Sequence, residues 1–69
     1  MNVSAISILE QTQENAIEAG KKELMTFFGC KETELRFMTQ YLPGKIVKVM
    51  AYKINDPNEE VYHTAIAHR

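Results

Sequence analysis

Residues 34–53 read ELRFMTQYLPGKIVKVMAYK, two apolar runs folded about Pro43 and Gly44. In a strand successive side chains point to opposite faces, so the fold turns on which set in each run is buried. Along the first run Leu35, Phe37, Thr39 and Tyr41 alternate with Arg36, Met38, Gln40 and Leu42. Along the second, Val47, Val49 and Ala51 make the smoother apolar surface, whereas Ile46, Lys48, Met50 and Tyr52 include a charge and a phenol. Both odd-numbered sets are therefore assigned to the core.

Cross-strand partners share a face. The two assignments agree only if Leu42 lies opposite Ile46, which leaves Pro43, Gly44 and Lys45 as the loop. Pro-Gly alone favours a type II turn, a shorter loop, and a pairing of Leu42 with Lys45. That alternative would put Phe37 on one face with Met50 and Lys48. Type II turns twist the wrong way for two-residue hairpins, and burial outweighs turn preference, so the odd-in register is expected.

Downstream, the turn-rich segment NDPNEE leads to a further apolar run from Val61 to His68, which extends the hairpin into an antiparallel meander. Either Val61, His63 and Ala65 or Tyr62, Thr64 and Ile66 can face outward there.

Upstream, residues 2–9 (NVSAISIL) are β-branched or small and read as a strand. A rival reading continues one helical stripe from Val3 to Phe28, with Ser7 and Glu10 as a capping box. Gln13 interrupts that stripe, so a strand, a turn through residues 10–12 and a helix over 13–28 are preferred. Thr12 suits the N-cap and Gly29 the stop. Ala16, Ile17, Gly20, Leu24, Phe27 and Phe28 then share the buried side, with Glu14, Glu18, Lys21 and Met25 opposite. Gly20 costs a mid-helix position about 1 kcal/mol relative to Ala. A close approach of the helix to the sheet or to another helix explains it better than tolerance does.

The expected architecture is α+β, a two-layer β-α-β-β-β domain over residues 1–69 with one amphipathic helix on an antiparallel meander. Its element order and length resemble those of small βαββ families such as the dodecins. The likeness is topological. This chain has no Trp, the residue whose indole those flavin-binding proteins stack on their ligand, so no residue and no cofactor is carried over.

One helix covers one side of a sheet. The other side keeps Met38, Leu42, Ile46, Met50 and Tyr52, with Arg36 and Lys48 among them, and that set is the candidate interface. A 69-residue domain buries too little surface to be robust alone. Self-association through this face or an exposed sheet edge, as a dimer or larger species, is the expected supplement, and a heterologous protein partner is the other occupant considered. Arg36, Lys48, Tyr52 and Lys53 also suggest an alternative, a platform for single-stranded nucleic acid. Against it, eight Lys and Arg are offset by nine Asp and Glu, so no global field steers the chain to polyanions.

No catalytic constellation is legible. His63 and His68 fall on opposite faces of one strand and do not make a metal pair. Cys30 follows a helix C-terminus, where the dipole disfavours a thiolate. Phosphate-binding, zinc-protease and nucleophile-elbow motifs are all missing. A lone cysteine suits a reducing compartment. The start lacks the pattern of a signal peptide, and no apolar run approaches a membrane span. A cytoplasmic, non-enzymatic protein with neither cofactor nor metal is expected.

Overall fold

The α-helix begins where its cap chemistry predicts. In the computed structural model, which describes residues 6–10, 12–56, 58 and 60–69, helix α1 spans Gln13–Phe28. The Asn15 N–H donates to Thr12 Oγ1 at 3.1 Å, satisfying one of the donors that a helix start leaves unpaired. Gly29 ends the helix in the left-handed region at φ 68°, and its N–H and that of Cys30 both donate to the Met25 carbonyl.

Strands β1 (Ile6–Glu10), β2 (Leu35–Leu42), β3 (Ile46–Lys53) and β4 (Tyr62–His68) form one sheet in the order β1-β4-β3-β2. The three C-terminal strands make the expected antiparallel meander. A short 3-10 turn, Glu32–Glu34, leads into β2. Strand β1 pairs parallel with β4, an order that local patterning does not specify. The strand expected over residues 2–9 is thus observed from residue 6, and its first four residues lie outside the described ones. Strand conformation at Ile6–Glu10 rules out a helix running unbroken from Val3.

The hairpin adopts the odd-in register. Leu42 pairs with Ile46, Phe37 with Ala51, Thr39 with Val49 and Tyr41 with Val47. Gly44 takes φ 82°, as the third position of a type II turn requires, and Lys45 follows at φ 58°. This second left-handed residue lengthens the loop by one, so the turn preference and the burial preference are both met.

Ala51 pairs with Tyr62, Val49 with Thr64 and Val47 with Ile66. The even residues of β4 therefore face the helix. Ala16, Val47 and Ile66 form one core cluster joined by Ile17. Leu24, Val49 and Ala51 form another, with Phe28, Phe37 and Tyr62 against it. Each buried aliphatic side chain contributes about 1.5–3 kcal/mol. Between the clusters Gly20 lies on Val49: a Cβ there would stand 2.5 Å from Val49 Cγ2. The close approach inferred from the sequence is the observed packing.

Phe27, assigned to the buried side, is 50% exposed. It sits over Tyr62, the first residue of β4, with ring centroids 5.0 Å apart, so sheet supports only one side of its ring. Lys21, assigned to the far side, is only half-exposed, and its ammonium lies 5.6 Å from the centre of the Phe37 ring.

Candidate interaction surface

The register that buries the odd residues of β2 and β3 turns their even residues outward, and β4 contributes its odd ones. Cross-strand rows follow directly. Met38, Met50 and His63 form one row; Leu42, Ile46 and Ala67 form another. Between them runs Gln40, Lys48 and Ala65, and Arg36 faces Tyr52 at the end nearest the helix C-terminus.

All five residues of the candidate interface thus share the face opposite α1. Met38 is 40% exposed, and Leu42, Ile46, Met50 and Tyr52 are each partly exposed. Branched and thioether side chains standing on a pleated sheet shield one another's flanks while leaving their ends open. Burial among them holds the His63 imidazole below its ordinary pKa of 6.5, and the Lys48 charge lowers it further. At neutral pH this face carries uncharged His63 between the cations Lys48 and Arg36.

The four residues of the nucleic-acid alternative are not all brought together. Arg36 and Tyr52 are direct partners and Lys48 shares their face. Lys53 pairs with buried Leu35 on the helix side, its ammonium 5.9 Å from the Phe28 ring centre.

A second exposed region lies at the sheet edge. Helix α1 lies over β4 and β3 and barely reaches β2. Leu35 is buried and Phe37 half-buried, but the helix-side residues farther along β2 are open at the sheet edge: Tyr41 is 61% exposed, and Thr39 is exposed as well. No local signal marks Tyr41, because its exposure follows from the place of β2 at the edge of the sheet.

Elsewhere, Cys30, Glu34, Lys53, Asn55 and Asp56 line an open hollow of about 360 Å³. The Cys30 thiol points to the Phe28 carbonyl, 3.7 Å away, and neither histidine lines the hollow. Among the described residues no group of three or more His, Cys, Asp or Glu is placed to hold a metal ion. No helix among them is long and apolar enough to cross a membrane. Comparison with protein-family models, with curated proteins and with solved structures returned no match.

Proposed function

We propose that this chain is a non-enzymatic protein–protein interaction module that self-associates through its sheet. The observation that carries the reading is the half-apolar face of Met38, Leu42, Ile46 and Met50, two apolar rows on either side of Gln40 and Lys48, which α1 leaves uncovered. Methionine side chains adapt to a facing surface at little cost, and Met38 pairs with Met50 near the centre of the patch. Arg36 and Tyr52 make a polar rim at one end of the kind interfaces use, and Lys48 stands between the two apolar rows. A cytoplasmic location fits the single free thiol, Cys30.

The test is the molar mass in solution by size exclusion with light scattering. The wild-type chain is expected as a dimer or larger species whose mass does not respond to salt. Met50→Lys puts a charge at the patch centre on a partly exposed site, and is expected to lower the mass while the circular dichroism stays native. An unchanged mass would overturn the outer face as the contact.

A second reading draws on the Arg36–Tyr52 pair, a cation beside an aromatic ring on an open sheet. It assigns the same face to single-stranded nucleic acid, with affinity that falls steeply as salt rises. Excess absorbance at 260 nm that is lost at high salt would select it.

A further inference from the structure

Strand β2 ends the sheet, and the direction of its unpaired backbone groups can be worked out. The Ile54 N–H donates to the Glu34 carbonyl at 3.2 Å, immediately before the β2–β3 ladder. The His68 N–H donates to the Lys45 carbonyl at 2.8 Å, which turns the odd positions of β3 toward β4. Hydrogen-bonded and non-bonded pairs alternate along an antiparallel ladder. Both bonds therefore require the even residues of β2 to bond to β3. Phe37, Thr39 and Tyr41 then direct their N–H and C=O groups out of the sheet.

Soluble proteins protect such edges with lysines, proline, bulges or brevity. Strand β2 uses none of these: its eight residues pair with β3 without a register shift, and Arg36 is its one charge. The helix leaves the C-terminal half of the strand uncovered, and Thr39 and Tyr41 stand exposed there beside the open backbone.

We infer that a second copy of this chain adds antiparallel to β2, with Thr39 on the two-fold axis. The inference rests on the self-association reading above and deepens it by naming a second contact. Centring on Thr39 sets Phe37 opposite the partner's Tyr41 and Thr39 opposite the partner's Thr39. Aromatic pairs and threonine pairs are both favourable cross-strand neighbours. Arg36 falls opposite the partner's Leu42, clear of its own copy. Self-pairing thus sets ring against ring and threonine against threonine with no like charges opposed, and this complementarity of the edge with itself selects a second copy as the occupant. The two sheets become one, and the face of Met38 and Met50 runs across both.

The test substitutes the axial residue, which is exposed and whose N–H points away from β3. Thr39→Lys places like charges opposite one another, as does Thr39→Asp. Each variant alone is expected to show half the wild-type mass with native circular dichroism, and an equimolar mixture is expected to regain the wild-type mass. A wild-type chain that is monomeric at several hundred micromolar would overturn both this pairing and the self-association reading. A wild-type oligomer that Met50→Lys disperses and Thr39→Lys leaves intact would overturn the pairing alone. Variants that dissociate but fail to recombine in the mixture would overturn the placement of Thr39 on the axis.

Discussion

Gly20 of the helix lies directly against the side chain of Val49 on the interior strand β3: a methyl added at Gly20 would stand 2.5 Å from Val49 Cγ2 and 2.8 Å from its Cβ. Both residues are buried, and they join the two halves of the core.

Gly20→Ala is therefore expected to destabilise the chain even though alanine favours helix by about 1 kcal/mol. Overpacking costs about 1–3 kcal/mol, and this approach belongs at the upper end. The net loss should be about 2 kcal/mol, or a fall in Tm of roughly 10 °C for a domain of this size. Urea denaturation of Gly20→Ala, Val49→Ala and the double variant forms the check. The double variant should lose less than the sum of the singles, because the nearest clashing methyl is gone. Strict additivity would mean that the contact is not what constrains position 20.

The hairpin loop makes an opposite pair of forecasts. Gly44 at φ 82° cannot take a side chain without strain, whereas Lys45 at φ 58° already bears one. A left-handed conformation costs a non-glycine residue about 1–2 kcal/mol. Gly44→Ala should thus lower stability by about 1 kcal/mol or more. Lys45→Gly should be neutral or stabilising by up to about 1 kcal/mol, since added unfolded-state entropy offsets part of the relief. Thermal melts of the two variants should move in opposite directions or, at least, differ clearly. Equal losses would show that the Lys45 side chain supports the loop.

His63 supplies a pH dependence. Desolvation on the outer face lowers its pKa below 6.5, and Lys48 adds to the effect. Between the folded-state value and 6.5 the unfolded chain binds more protons than the folded one, so this contribution to stability is complete above pH 6.5 and is lost as the pH falls through the folded value. An NMR titration should place His63 below 6.5. Lys48→Gln should raise the midpoint without restoring it fully, because desolvation is the larger cause. A midpoint at or above 6.5 in the wild type would contradict the burial described for this face.

Self-association follows the substitutions given above, and the two contacts are separable because Met50 and Thr39 lie on opposite faces of adjacent strands. If both operate, Met50→Lys and Thr39→Lys each halve the mass of a tetramer, and the double variant is a monomer. Light scattering on the four proteins distinguishes this from a single contact.

Local chemistry governs the parts of this fold that depend on neighbouring residues. Thr12 and Gly29 bound the helix because capping and left-handed termination need only local groups. The odd-in register of β2 and β3 was legible because a one-residue slip would have buried Lys48 and turned Val47 and Val49 to solvent. The candidate interface was legible as the complement of that core, and its five residues do share one face. Only the tertiary structure decided what depends on distant partners. The faces of β4 are similar in polarity, so pairing with β3 had to select Tyr62, Thr64 and Ile66 for burial. The parallel seat of β1 beside β4 sends β2 to the edge, and that placement leaves Tyr41 uncovered on the side where alternation alone would bury it. Alternation reports which side of a strand is apolar; whether a helix covers that side depends on strand order, which contacts between residues far apart in the chain establish.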